Sequence, residues 1–145
     1  LVLTKDDPEK VRAIALAHGV KPEDMMVAYA SRQQLPEYLA ASDYSIFFIQ
    51  NTFSKMASSP TKHGELMGMG LPVICNAVGD LEMVVQDPDM GFLISSFDNS
   101  TYLKTIKAMM HRQAFNKSKI RSCAEKYYDL TVGVAKYLAL YQRIM

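Results

Sequence analysis

The sequence lacks the features that mark several large classes of protein. Its formal net charge is only +1, which gives no electrostatic reason to expect nucleic acid as a partner. The longest purely apolar runs, such as residues 46–49, are far too short to span a bilayer, and no signal-peptide pattern opens the chain. These absences give no reason to expect a nucleic-acid partner or a membrane span; it is the cysteine pattern that favours a cytoplasmic protein.

Cysteine is also scarce, and the sequence gives no sign of a metal site. Cys75 falls in a predicted buried strand and Cys123 in a predicted helix, with no spacing typical of metal ligands. Two buried free thiols in a reducing compartment suit this pattern better than a disulfide. No cluster of carboxylates suggests a divalent cation, and the ten methionines are scattered as core-filling side chains. We therefore expect neither a metal nor a cofactor.

What the chain does contain is the composition of a globular protein. Apolar residues make up 49% and charged residues 21%, which separates the chain from disordered sequences. A length of 145 residues is enough to bury a substantial core within one domain. The sequence shows no internal repeat, linker or low-complexity segment, so we expect residues 1–145 to form a single domain.

Short apolar segments alternate with helical patterns along most of the chain. Strands are predicted at residues 1–4, 25–30, 44–49, 71–76 and 91–94, and helices at 8–18, 35–41, 60–69 and 81–86. Three apolar stripes predict further helices after the last strand, namely Leu103, Ile106 and Met110; Ile120, Cys123, Ala124 and Tyr127; and Val134, Leu138, Tyr141 and Met145. This alternation predicts a doubly wound, Rossmann-like α/β domain. It would hold a parallel sheet of about five strands, helices on both faces and a helical C-terminus.

The segment 58–75 is the most informative part of the sequence. Ser59 is predicted to cap a helix, with Pro60 at the first helical position and Gly70 ending the helix in a left-handed turn. Lys62 then lies in the first turn, where the helix dipole favours negative charge by roughly 0.3–1 kcal/mol. A bound anion would reverse this penalty, because backbone N–H groups and the ammonium would converge on it. We interpret this helix start as a phosphate-binding site.

Candidate ligand-binding residues fall in three loops. In a doubly wound sheet, ligands bind beyond the carboxyl ends of the strands. Residues 29–32, 50–62 and 76–80 follow predicted strands at that edge. The second loop is unusually long and polar for a connection between a strand and a helix, which favours a functional role for it.

Several of these segments resemble one family of enzymes. Residues 65–73 are similar to the "E-A-M-A-x-G-L-P-V-I" segment of the group 1 family of retaining glycosyltransferases, whose GT-B fold has two Rossmann-like domains. Four further segments resemble, in order, the family's "A-A-D" and "V-G-G" turns, its "G-x-L-V" strand and its terminal helix: 41–44, 78–80, 91–94 and 137–141. The resemblance runs from Leu1 to about Tyr141 and covers most of the C-terminal domain, which binds the nucleotide-sugar donor.

Two departures from the family pattern stand out. The family has a pair of glutamates with seven residues between them; Glu65 matches the second, whereas Ala57 occupies the position of the first. Residues 58–62 instead resemble a subgroup with an "S-P-T-K" turn before the glutamate. The family's phosphate-binding Arg and Lys would come before Leu1. The resemblance therefore implies a donor domain truncated at its N-terminal edge, without the N-terminal acceptor-binding domain and inactive alone.

The resemblance implies a donor site for a nucleoside diphosphate-sugar, linked to UDP or GDP. Lys62 would stabilise the charge on the leaving diphosphate, and Glu65 would accept hydrogen bonds from the ribose. The donor-binding residues would be Ser58, Ser59, Thr61, Gly79 and Asp80, with Tyr29, Ser31 and Arg32 bordering the base. The reaction would transfer the sugar to a glycan or lipid-linked acceptor in polysaccharide biosynthesis, and the intact enzyme would associate peripherally with a membrane.

Each of these residues also has a purely structural interpretation. Glu65 would be a solvated helix residue paired with the nearby lysine, the two serines would only cap their helix, and Asp80 would cap the next one. His63 is expected to be packed or half-exposed rather than to act as a base, and Gly64 and Gly68 are expected to allow close helix packing. The alternative function is a non-catalytic doubly wound module that binds a protein partner or a phosphorylated small molecule.

Overall fold

A computed structural model describes residues 1–112 and 114–144 and shows two compact units. Leu1–Ala40 forms the first unit, and the chain from Ala41 onward forms the second. The single domain expected over residues 1–145 stays a prediction, and the two units are described separately. In chain order, the elements are β1 (Val2–Leu3), α1 (Pro8–Ala17), a 3-10 turn (Pro22–Asp24), β2 (Val27–Ala28), α2 (Leu35–Ala40), β3 (Ser45–Ile46), α3 (Phe53–Met56), α4 (Thr61–Gly68), β4 (Val73–Asn76), α5 (Leu81–Val84), β5 (Gly91–Ile94), α6 (Asn99–His111), α7 (Lys117–Tyr128) and α8 (Leu130–Ile144).

The first unit is built on a pair of short parallel strands and two helices. β1 and β2 pair in parallel, with Val2 opposite Val27. α1 begins where the Asp7 carboxylate accepts a hydrogen bond from the Glu9 N–H at 3.0 Å, a side-chain cap of the kind that satisfies an orphan helix donor. Gly19 follows the helix at a φ of 82°, so the predicted glycine stop is confirmed.

The second unit holds a three-stranded parallel sheet with β4 in its centre. The strand order is β3-β4-β5, and all four residues of β4 are buried. The core also includes the fully buried side chains of Met67, Leu71, Leu81, Met90 and Ile120, which come from α4, α5, α7 and the residues just before β4 and β5. A central parallel strand that is covered along its whole length is the arrangement expected of an α/β layer fold.

The α/β class with parallel strands is confirmed, and the five strands of the described residues are divided between two sheets rather than joined in one. Most of the strands are shorter than predicted, and β1, β2 and β3 have two residues each. Apolar runs such as 44–49 therefore extend beyond the hydrogen-bonded ladder. β5 has the predicted limits, 91–94.

The helices after β5 are confirmed, but their apolar stripes differ in burial. Ile120 and Ala124 of α7 are buried, because α7 packs against α4. The stripes of α6 and α8 are exposed along Leu103, Ile106, Met110, Val134, Leu138 and Tyr141, while Met145 lies outside the described residues. Within residues 1–112 and 114–144, none of the helices combines the length and apolar character that crossing a membrane would require.

Candidate functional site

The loops after β3 and β4 are tied together by a side chain at the end of β4. Asn76 is buried; its Oδ1 accepts a hydrogen bond from the Ile49 N–H at 2.9 Å, and its Nδ2 donates one to the Ile49 carbonyl at 2.8 Å. The amide thus continues the β3–β4 pairing beyond the strands with side-chain hydrogen bonds. Sequence reasoning placed Asn76 in a candidate ligand-binding loop and gave it no structural role, although a polar residue at the end of an otherwise apolar strand is a usable signal.

Gly79 brings the loop after β4 against the loop after β3. Its φ is 59°, in the left-handed region that glycine tolerates, and a Cβ atom there would overlap the Ser58 carbonyl oxygen. The observed close approach is therefore to Ser58, and the predicted approach to a sugar stays a prediction. Asp80 is the N-cap residue of α5, as its structural alternative predicted, although its side chain makes no cap hydrogen bond.

The start of α4 differs from the predicted one. Pro60 is the N-cap, with extended backbone angles and no side-chain cap hydrogen bond, and its carbonyl accepts from the His63 N–H at 2.9 Å. The prediction that Ser59 caps this helix is wrong, because the helix begins at Thr61. Ser58 instead donates its hydroxyl to the Lys55 carbonyl at 3.0 Å, at the end of α3. The predicted left-handed stop at Gly70 is confirmed by a φ of 74°.

This arrangement leaves the first turn of α4 electropositive. The earliest N–H groups of a helix have no intrahelical partner, the first turn contains no acidic residue, and Lys62 adds a cation at the second helical position. The Lys62 Nζ lies 5.4 Å from the centre of the Phe47 ring, a cation–π distance, so the ammonium is held near the carboxyl end of β3. Thr61 and Glu65 are both exposed on the same helix.

The long loop predicted at residues 50–62 contains a helical turn that the sequence did not reveal. α3 occupies Phe53–Met56, and Phe53 is 93% exposed. Its apolar residues have no helical periodicity to read because the helix is only one turn long. α3 therefore divides the predicted loop into two shorter segments, 50–52 and 57–60.

His63 is packed, as expected, and carries no charge at neutral pH. It is fully buried, and its Nδ1 lies 2.8 Å from the Tyr128 hydroxyl. Burial lowers the pKa of His63 to about 4, because a desolvated imidazolium is unfavourable. Its Nε2 atom is buried without a hydrogen-bond partner among the described residues. A neutral, solvent-excluded ring of this kind is not placed to act as a general base.

The two glycines of α4 behave differently from each other. A Cβ atom on Gly64 would lie 2.8 Å from the Tyr128 Cγ, so a side chain at this position would collide with α7. The predicted close packing at Gly64 is thus confirmed. Nothing lies within 4 Å of the corresponding position on Gly68, so the same prediction for Gly68 is wrong: this residue is exposed.

Neither cysteine forms a disulfide or resembles a nucleophile. Both thiols are free, Cys75 buried and Cys123 half-buried, so the expectation of burial is met fully only at Cys75. Burial raises the pKa of Cys75 to about 12, which keeps the thiol protonated. Within the described ranges, no group of three or more His, Cys, Asp or Glu side chains is arranged to hold a metal ion.

The remaining predicted site residues lie in the first unit. The Ser31 hydroxyl accepts from the Gln34 N–H at 3.3 Å, and the Gln34 Oε1 accepts from the Ser31 N–H at 3.1 Å. This reciprocal pair is a capping box at the entry to α2, which gives Ser31 a structural role. Tyr29 and Arg32 are exposed. The role of all three beside a nucleotide base stays a prediction.

Comparison with models of protein families identifies the family of the chain. A family model described as "Glycosyl transferases group 1" matches residues 1–112. The chain belongs to the group 1 glycosyltransferases. This confirms the family expected from the sequence segments, and a comparison with curated protein sequences gives no significant match.

The fold of this group 1 glycosyltransferase chain is also found in solved structures. Sucrose-phosphate synthase from Thermosynechococcus elongatus superposes with a TM-score of 0.72 over 98% of the chain, at 16% sequence identity. At so low an identity, the superposition shows a likeness of fold alone. The chain spans 37% of the length of that protein, so the activity of a whole enzyme is a matter for proposal.

Proposed function

We propose that this glycosyltransferase chain binds a nucleoside diphosphate-sugar with its diphosphate at the start of α4. The observation that carries the proposal is the electropositive first turn, where Lys62 follows an uncapped N-terminus at the carboxyl edge of the sheet. Diphosphates are well matched to such a helix start, since N–H donors and the positive end of the dipole converge there. Ligands of doubly wound sheets bind at this edge.

The same groups would assist transfer of the sugar. When the bond between sugar and phosphate breaks, negative charge builds on the leaving diphosphate. Lys62 supplies a cation for that charge, and Thr61 supplies a hydroxyl and a backbone N–H. Groups held in place before the reaction stabilise such charge more than they stabilise the ground state, which lowers the barrier.

The other predicted residues complete the proposed donor site. Glu65, one turn beyond Thr61 and Lys62 on α4, accepts hydrogen bonds from the ribose hydroxyls. Gly79 and Asp80, whose loop packs on Ser58, face the sugar. The remaining residues of the proposal are Ser59 beside the phosphates and Tyr29, Ser31 and Arg32 beside the base, and the base is that of UDP or GDP.

The proposal for the intact enzyme extends to its second substrate. The acceptor is a glycan or a lipid-linked sugar of polysaccharide biosynthesis, held by an N-terminal domain of the same protein. Peripheral contact with a membrane on its cytoplasmic side would bring a lipid-linked acceptor within reach. The present chain would then bind the donor without turning it over.

Donor binding is tested by isothermal titration of the full chain with UDP, GDP and ADP. We expect one of them to bind and Lys62→Ala to weaken it about tenfold, since losing a charge-assisted hydrogen bond costs about 1.5 kcal/mol. Lys107→Ala is the matched control, because it removes the same charge from an exposed position on α6. Its affinity should equal that of the unmodified chain.

Two results of this titration would contradict the proposal. If none of the three nucleotides binds, the chain has no donor site of this kind, and the non-catalytic module is favoured. If Lys62→Ala and Lys107→Ala weaken binding equally, the interaction reflects overall charge and not the start of α4.

A further inference from the structure

Tyr128, the last residue of α7, lies across the first turn of α4. Its hydroxyl is 2.8 Å from the His63 Nδ1, and the two rings meet edge to face with centres 5.6 Å apart. The ring fills the space that a side chain on Gly64 would need. The contact between α4 and α7 therefore includes a close approach at the end of α4 where we place the diphosphate.

The Tyr128 hydroxyl reaches both sides of the helix start. Besides contacting His63, it interacts electrostatically with the side chain of Ser59, which precedes the Pro60 N-cap. One hydroxyl thus joins the residue before the helix to the third residue within it. Since no side chain caps α4, the direction of its first turn depends on such tertiary contacts.

The same contacts continue toward Lys62. The His63 ring lies 6.0 Å from the Phe47 ring, and the Lys62 Nζ lies 5.4 Å from the centre of that same Phe47 ring. Tyr128 therefore contacts His63, His63 packs on Phe47, and the Phe47 ring makes the cation–π contact with the Lys62 ammonium. A shift of the tyrosine would therefore be transmitted to the cation.

We propose that Tyr128 is a positioning residue for diphosphate binding, which sets the first turn of α4 and, through His63 and Phe47, the Lys62 ammonium. This inference rests on the proposed function, because it concerns the same site. Tyr128 does not touch the ligand. It acts by limiting the directions in which the N–H groups and the ammonium point, and such preorganisation raises affinity without adding a contact.

The test compares Tyr128→Phe with Tyr127→Phe in the full chain. The first variant keeps the ring against Gly64 and removes only the hydroxyl; the second removes a hydroxyl from the neighbouring, more exposed tyrosine. Affinity for UDP, GDP and ADP is measured where circular dichroism shows both variants fully folded. We expect Tyr128→Phe to weaken binding about five- to tenfold, as one lost hydrogen bond would, and Tyr127→Phe to have no effect.

A double-mutant cycle separates positioning from general loosening. If Tyr128 acts through the Lys62 ammonium as well as the N–H groups, the effect of Tyr128→Phe should be smaller in a Lys62→Ala background, where only the N–H groups remain to be oriented. If Tyr128→Phe weakens binding by the same factor in both backgrounds, the inference is overturned. It is also overturned if the unmodified chain binds and Tyr128→Phe binds equally well. The proposed function survives either result. If the unmodified chain binds none of the three nucleotides, the proposed function and this inference both fail.

Discussion

Replacing Gly91 by alanine is expected to abolish the folded state of the second unit. Gly91 opens β5 opposite Val73 of the central strand and has a φ of 140°. An added Cβ would overlap the Val73 carbonyl oxygen and approach its backbone nitrogen. These are backbone atoms of a fully buried strand, so they cannot move aside as a flexible side chain would.

The expected cost is more than about 4 kcal/mol, because steric overlap in the core adds to backbone strain. That is a large part of the stability of an ordinary domain. Urea unfolding followed by circular dichroism should show no cooperative transition for the second unit of Gly91→Ala.

Gly133→Ala provides the matched control for this substitution. Gly133 lies within α8, and nothing lies within 4 Å of the position of its Cβ. Alanine is favoured over glycine inside a helix by about 1 kcal/mol, so this variant should be as stable as the unmodified chain or slightly more so. An unfolding transition of Gly91→Ala close to that of Gly133→Ala would show that the β4–β5 contact is not as described.

Acidification from pH 6.5 to pH 4 is expected to destabilise the second unit by up to about 3 kcal/mol. Burial lowers the pKa of His63 from 6.5 to about 4. Between these pH values the unfolded chain binds a proton at His63 and the folded chain does not. The stabilisation from neutral His63 is complete above pH 6.5 and is lost as the pH falls toward 4. A decrease in the His63 pKa from 6.5 to about 4 corresponds to a change in the free energy of unfolding of roughly 3 kcal/mol.

Urea unfolding between pH 7 and pH 4 measures this dependence, with His63→Gln as the informative variant. We expect His63→Gln to be less stable at pH 7 and to lack most of the slope in this range. His111→Gln, which alters an exposed histidine, should retain it. Asp87 and Asp98 have lowered pKa values because they accept hydrogen bonds, so their contribution is lost at still lower pH. A stability that stays constant from pH 6.5 to pH 4 would contradict a buried neutral His63.

The parts of the fold that the sequence predicted well depend on local chemistry. Gly19 and Gly70 adopt the positive φ values that a helix stop requires, and glycine is the residue that does so at least cost. The 91–94 strand has its predicted limits because glycine, turn residues and apolar residues mark both ends. Signals of this kind need no knowledge of distant residues.

The parts that the sequence did not predict depend on tertiary contacts. Whether an apolar stripe is buried depends on its partner: Ile120 faces α4, whereas Leu103 and Leu138 are exposed although their periodicity is just as clear. The N-cap position of α4 is Pro60 rather than Ser59, and the neighbouring Ser58 hydroxyl donates to the Lys55 carbonyl instead of capping the helix. Helix boundaries are sensitive to such competition.

The candidate site also has a part that the sequence predicted and a part that it did not. The sequence predicted that residues after β3 and β4 would lie at one edge of a parallel sheet, since that follows from topology alone. The contacts that hold the edge together, Asn76 with Ile49 and Tyr128 with His63, join residues far apart in the chain. No local pattern encodes such a pair, so only the folded structure reveals it.

The most direct test of the central claim is an amide chemical-shift titration of the isotopically labelled chain with the nucleoside diphosphate that binds best. If the diphosphate sits at the start of α4, the N–H signals of Thr61 and Lys62 should move most, followed by those of Gly79 and Asp80. Shifts confined to other parts of the chain, with the Thr61 and Lys62 signals unmoved, would contradict the account.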